Sequence, residues 1–160
     1  MNKTVTLIVP CYNEEESLPI FYRAVCDVAR GLPQYQISLL FVNDGSKDGT
    51  LNVMRNLAAQ DERVKYLSFS RNFGKEAAMY AGFCNAKGDY VAVMDADMQD
   101  PPSLLPEMLA ILETGEYDSV ATRRVTRDGE PPRSPRTAMT GNAGRLFRLS
   151  LSAISLHKTI

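Results

Sequence analysis

Apolar, largely β-branched residues gather in five short runs along the chain, at 5–9, 37–42, 64–69, 90–94 and 118–122. Segments such as LIV, LLFV and YVAVM are unbroken by polar residues, as expected of strands covered on both faces of a parallel sheet. Helical patterns separate the runs. Leu18, Phe21, Val25, Val28 and Leu32 recur at three- and four-residue intervals, as do Leu51, Met54, Leu57 and Ala58. Residues 76–86 form a third pattern, rich in small side chains, and Leu105, Met108, Leu109 and Leu112 make the stripe of a fourth. The Asp100-Pro101-Pro102-Ser103 stretch stops the preceding loop and offers a proline to a helix's first turn, with Asp100 as its candidate cap. Strand-helix alternation predicts an α/β sandwich, Rossmann-like, with a mostly parallel central sheet and right-handed crossovers.

Polar side chains gather at one repeated place, the C-terminal end of each apolar run. Asn13 and Glu14 follow the first, Asn43 and Asp44 the second, Arg71 and Asn72 the third, Asp95 and Asp97 the fourth, and Arg123 and Arg124 the fifth. In a parallel sheet these ends share one edge, where open α/β folds bind ligands. The pattern then changes. Residues 127–145 are rich in Pro, Gly, Arg and Thr, as in a loop. In the tail, Phe147, Leu149, Leu151 and Ala153 alternate like a strand, while Phe147, Leu151 and Ile154 would align on a helix, including a basic interfacial one. The expected division is a domain over 1–126 and a loop with an atypical tail over 127–160.

At 160 residues the chain holds one core-burying domain. With 44% hydrophobic and 23% charged residues it is expected to fold rather than stay disordered. The net charge of −1 supplies no global pull toward nucleic acid. Cys11, Cys26 and Cys84 show no metal or redox spacing and read as small buried hydrophobes in a reducing compartment. The N-terminus lacks the pattern of a secretory signal, and no stretch nears the roughly 18 apolar residues of a membrane span. A cytosolic domain is expected, peripheral to the cytoplasmic face of a membrane at most.

The strongest chemical signal is MDADMQD, residues 94–100. Asp95, Asp97 and Gln99 are spaced by two, so in extended backbone they would point the same way. Their hard oxygen donors suit Mg²⁺ or Mn²⁺, which keep open positions for water and phosphate. Such a cation would neutralise a departing nucleoside diphosphate. In VNDGSKDGT, residues 42–50, Asp44 ends a buried strand and is a candidate for the base or ribose, while Asp48 reads as a helix-start residue. In IVPCYNEEESLP, residues 8–19, Tyr12 offers a flat face to a base, and Asn13 and Glu14 offer hydrogen-bonding edges. Glu15 and Glu16 read as first-turn carboxylates favoured by the helix dipole. SRNFGKEAAMYAG, residues 70–82, has the form of an anion-binding strand-to-helix turn, with Gly74 for close approach and Arg71 and Lys75 for charge. There is no GxGxxG and no P-loop.

Those four motifs, in that order and spacing, resemble the family-2 glycosyltransferases over roughly residues 4–130. The nearest subgroups are the polyprenyl-phosphate (bactoprenol) glucosyltransferases and the dolichol-phosphate mannose synthases. The resemblance implies a nucleotide-sugar-binding domain of the glycosyltransferase A type. It implies that Pro10, Tyr12, Glu14 and Asp44 line a nucleoside pocket, that Asp95 sits near ribose and base, and that Asp97 and Gln99 hold the metal on the diphosphate. Arg123 and Arg124, with Arg127, fall where the family places basic residues for the acceptor and leaving phosphates. The implied donor is of the UDP-glucose or GDP-mannose class, and the implied acceptor is a polyprenyl phosphate. Members usually continue into juxtamembrane or transmembrane helices. Here the tail from about Pro132 departs from that pattern, so a form shortened relative to the family is expected.

The implied reaction is attack of an acceptor phosphate oxygen on the anomeric carbon, with inversion. A phosphate has a second pKa of about 6 and needs cationic guidance rather than a general base; Arg123 and Arg124 would supply it. A polysaccharide or lipopolysaccharide acceptor would instead require a carboxylate base, for which Asp128 and Glu130 are the nearby candidates. A sugar-phosphate nucleotidyltransferase would want a Gly- and Lys/Arg-rich loop after the first strand, where PCYNEEE is acidic. A non-catalytic nucleotide-binding remnant is the alternative from another class.

Overall fold

The computed structural model describes residues 2–122 and 155–158. Along the chain run β1 (Lys3–Cys11), α1 (Ser17–Arg30), β2 (Tyr35–Asn43), α2 (Thr50–Gln60), β3 (Val64–Ser68), α3 (Lys75–Asn85), β4 (Tyr90–Val93), a 3-10 turn (Pro102–Leu104), α4 (Leu105–Glu113), β5 (Ser119–Ala121) and β6 (Ser155–Lys158). The sheet order is β3-β2-β1-β4-β6-β5. β1 pairs in parallel with β2 and β4, and β2 with β3, while β6 is antiparallel to both β4 and β5. The central sheet is therefore mostly parallel, as the alternation predicts.

One strand was not predicted. β6 comes from the tail and inserts between β4 and β5, so the fifth apolar run joins the sheet only through it. The alternation read at Phe147–Ala153 lies outside the described residues; the observed strand is the four residues Ser155–Lys158.

The sheet separates two cores because successive strand residues face opposite ways. Val5, Leu7, Val9 and Cys11 of β1, with Ile37, Leu39 and Phe41 of β2, pack on Leu18, Phe21 and Val25 of α1, Met54 of α2 and the complete α4 stripe. On the other face, Ile8, Val42, Val91 and Val93 meet Ala78 of α3. The small residues of α3 have a steric purpose. A Cβ on Gly82 would lie 2.3 Å from Ile8 Cγ2, so only glycine lets the helix settle at this depth. β3 is an edge strand, and its exposed Lys65 discourages pairing with another chain. Of the cysteines, Cys11 is buried, but Cys26 is half-buried and Cys84 exposed, so the buried-hydrophobe reading holds for Cys11 alone.

At the N-terminal ends of the strands, Glu113 closes α4 onto the sheet. Its carboxylate accepts hydrogen bonds from Lys3, from the Tyr35 hydroxyl at 2.9 Å and from the Tyr90 hydroxyl at 3.0 Å. Burial and this bond push the Tyr35 phenol up to about 12. The opposite end of the sheet is left to the loops that follow β1, β2, β3 and β4.

Candidate active site

The loops after β1 and β2 are laced together residue by residue. The Asn13 amide donates to Ser46 Oγ at 3.0 Å, and the Lys47 amide donates to Asn13 Oδ1 at 2.9 Å. The Glu14 amide donates to Thr50 Oγ1 at 2.8 Å and the Glu15 amide to Asp48 Oδ2 at 3.2 Å. The Gly49 amide donates to Glu15 Oε2 at 2.9 Å. Asn13 adopts a left-handed backbone, φ 56°, which turns the chain sharply away from β1. Tyr12, just before it, stands 42% exposed at the rim, and Pro10 is half-buried in β1 opposite Val42.

Glu15 and Glu16 do not serve as first-turn carboxylates of α1. That helix begins at Ser17 with no acidic residue in its first turn, and Glu16 precedes it. Glu15 instead reaches across to Gly49, the residue that caps α2, so its charge meets the N-terminus of a different helix. The expectation for Asp48 agrees with its contacts: Oδ1 accepts from the Thr50 amide at 3.0 Å at the start of α2. Burial pushes its carboxyl up, but the bonds from Thr50 and the Glu15 amide outweigh that and hold it below the usual range.

Asp44 is buried at the end of β2, 3% exposed. Its two oxygens accept the amides of Phe73 at 2.7 Å and Gly74 at 2.9 Å, at the start of α3. The anion at that strand-to-helix turn is thus the protein's own carboxylate, which occupies two of the amides expected for a ligand. Gly45 completes the fit. A Cβ there would lie 2.2 Å from the Arg71 carbonyl carbon, and its φ of +67° is one that glycine adopts freely. Arg71 lays its guanidinium 4.8 Å from the centre of the Phe73 ring, which meets Phe69 edge-on at 5.5 Å. Lys75, in the first turn of α3, forms an ion pair with Asp95 at 2.7 Å; the side chains are 34% and 27% exposed.

The segment after β4 departs from the extended backbone predicted for it. Residues 96–97 form a turn, Met98 has φ 60°, and Asp97 Oδ1 accepts the Gln99 amide at 3.0 Å. The chain turns because it must leave the sheet and start the Pro102 turn while keeping Met94, Ala96 and Asp100 buried. Asp97 and Gln99 are exposed, but by this turn rather than by strand alternation. Asp100 is no helix cap: neither the 3-10 turn nor α4 has a side-chain cap bond.

The donor chemistry here fits a hard divalent cation. Asp97 Oδ2 makes no hydrogen bond to a described residue, and Gln99 adds an amide oxygen on the same turn. Among the described residues no group of three or more His, Cys, Asp or Glu could hold a metal alone. A two-oxygen set of this kind suits Mg²⁺ or Mn²⁺ whose other positions are filled by water and phosphate. Arg123, Arg124 and Arg127, with Asp128 and Glu130, lie outside the described residues. Motif reading passed over Ser46 and Thr50, which fasten the rim, although the alternation of polar side chains at 46, 48 and 50 was in plain sight. It also passed over Phe73, the ring beneath Arg71.

Residues 6–156 match the model of Glycosyl transferase family 2. The match runs through the tail that was expected to fall outside it. The prophage bactoprenol glucosyl transferase homolog of Escherichia coli (strain K12) is 40% identical over 134 residues, covering 84% of this chain and 43% of that protein. The undecaprenyl-phosphate 4-deoxy-4-formamido-L-arabinose transferase of Photorhabdus laumondii is 37% identical over 126 residues, covering 78% of this chain and 38% of that protein. The chain thus spans less than half the length of these relatives. Among solved structures, the mannosyltransferase PcManGT from Pyrobaculum calidifontis, in complex with GDP-Man and Mn2+, superposes with a TM-score of 0.63 at 21% identity over 74% of this chain and 35% of that one. The fold is the α/β sandwich of the glycosyltransferase A type. With the family match spanning nearly all its residues, the chain belongs to glycosyl transferase family 2.

Proposed function

We propose that this chain carries the donor site of an inverting glycosyltransferase that moves a hexose from a nucleoside-diphosphate sugar to a polyprenyl phosphate. The observation that supports this reading is the convergence of Tyr12, Asp44, Asp95, Asp97 and Gln99 on one edge of the sheet, in a chain 40% identical to a bactoprenol glucosyl transferase homolog. Pro10, Tyr12, Asn13, Glu14 and Asp44 line the nucleoside side. Asp44 accepts two amides and retains lone pairs for a base N–H, since a carboxylate has about four acceptor positions. Asp95, oriented by Lys75, lies toward the ribose, and Arg71 adds charge beside Phe73.

Asp97 and Gln99 hold the cation. When bound, Mg²⁺ or Mn²⁺ neutralises charge on the departing diphosphate. Arg123 and Arg124 guide the acceptor phosphate, whose oxygen attacks the anomeric carbon from the face opposite the nucleotide. The oxygen needs no base, because a phosphate monoester is largely dianionic at neutral pH. A lipid acceptor puts the working protein at the cytoplasmic face of a membrane; no helix among the described residues is long and apolar enough to cross one.

The test is transfer from UDP-glucose and GDP-mannose to a polyprenyl phosphate with Mn²⁺. One donor is expected to give labelled lipid. Asp97→Ala is expected to lower kcat/KM roughly 100-fold or more, the scale of losing one transition-state charge contact. Transfer to a sugar acceptor but never to the lipid phosphate would refute the acceptor assignment, and metal-dependent donor affinity untouched by Asp97→Ala would remove Asp97 from the site.

A further inference from the structure

Five hydrogen bonds join residues 13–15 to residues 46–50, and they are reciprocal. Ser46, Asp48 and Thr50 accept the backbone amides of Asn13, Glu15 and Glu14, while Asn13 and Glu15 accept those of Lys47 and Gly49. Each loop thus uses its side chains to saturate the other's main chain. A turn like this at the exposed edge of a sheet would ordinarily leave its amides to water and its backbone free to move. Here the amides of three consecutive residues, 13 to 15, are all taken. A Cβ at position 49 would lie 2.2 Å from Glu15 Oε1 and would displace that carboxylate from the Gly49 amide.

We propose that Glu15, Ser46, Asp48 and Thr50 are positioning residues for the nucleotide. They hold the Tyr12–Glu14 turn in its binding shape before the donor arrives. Tyr12 is fixed between the end of β1 and the clasped, left-handed Asn13, so its exposed ring is presented without a further loss of backbone freedom. Preorganisation of this kind raises affinity by removing an ordering cost that binding would otherwise bear. None of the four is asked to touch the reacting atoms. Their effect therefore falls on donor binding and leaves turnover at saturation unchanged.

The inference rests on the donor-site reading above, and calorimetric titration of the whole chain with UDP, GDP and their sugars in Mn²⁺ separates the two. Glu15→Ala and Ser46→Ala are expected to weaken nucleotide binding about five- to tenfold each, the scale of one lost hydrogen bond. Glu15→Gln keeps an acceptor for the Gly49 amide and is expected to restore most of the affinity. Donor KM rises in the alanine variants, while kcat stays within about twofold. Glu113→Gln, at the far end of the sheet, serves as the stability control: it lowers the melting temperature without moving nucleotide affinity. Alanine variants that bind as wild type, or a Glu113→Gln variant whose affinity falls equally, would overturn the positioning role. A wild-type chain that binds no nucleotide overturns the donor reading and this inference with it.

Discussion

A methyl group at position 82 would have no space to occupy. The helix around Gly82 is regular, so alanine there would gain up to about 1 kcal/mol of helix propensity. Against that stands a contact of 2.3 Å with Ile8 Cγ2, both residues being buried in the face that α3 covers. Overpacking of a closed site costs about 1–3 kcal/mol. The clash outweighs that gain by up to about 2 kcal/mol, and Gly82→Ala is expected to lower the melting temperature by up to about 8 °C at two to four degrees per kcal/mol, as thermal denaturation followed by circular dichroism would show. Asp44 teaches the complementary lesson. Its place at a strand end marks it as polar by purpose, but its partners, the amides of Phe73 and Gly74, lie 29 and 30 residues away. No local pattern names such partners.

Asp61 ties three elements together at the end of α2. It accepts from the Tyr22 hydroxyl of α1 at 2.8 Å and from Arg63, just before β3, at 2.7 Å. The Arg63 guanidinium draws its carboxyl well below the usual range, with further help from the Arg63 amide and Tyr22, against the opposing effect of burial. Burial and the bond to Asp61 push the Tyr22 phenol up to about 12. A folded-state value below the unfolded one means the unfolded chain binds the proton more readily. The stabilisation is thus present above the unfolded value of about pH 4 and disappears as pH falls through the folded value. Asp61→Asn is expected to lower the melting temperature at pH 7 and to flatten its decline below pH 4, read from melting curves at stepped pH. The helices themselves were legible, since each stripe is a local repeat. The start of α1 was not, because Glu15 is claimed by Gly49 of another loop.

With four loops on one edge and a sheet beneath, a ligand bound at that edge would add to the stability of the whole fold. A nucleotide sugar with Mn²⁺ at about 100 times its dissociation constant should add about 2.7 kcal/mol, or roughly 5–10 °C at this chain length. Removing the metal with a chelator should withdraw most of that shift; a shift indifferent to the metal would count against a cation shared between Asp97, Gln99 and the diphosphate. The strand-helix order and the gathering of polar residues at one edge of the sheet were readable beforehand, because periodicity and strand-end polarity are written in consecutive residues. The insertion of β6 between β4 and β5 was not, nor the clasp between residues 13–15 and 46–50, nor the turn that presents Asp97. Each depends on which distant backbone groups remain to be satisfied once the sheet has formed, and that is settled only when the chain has closed on itself.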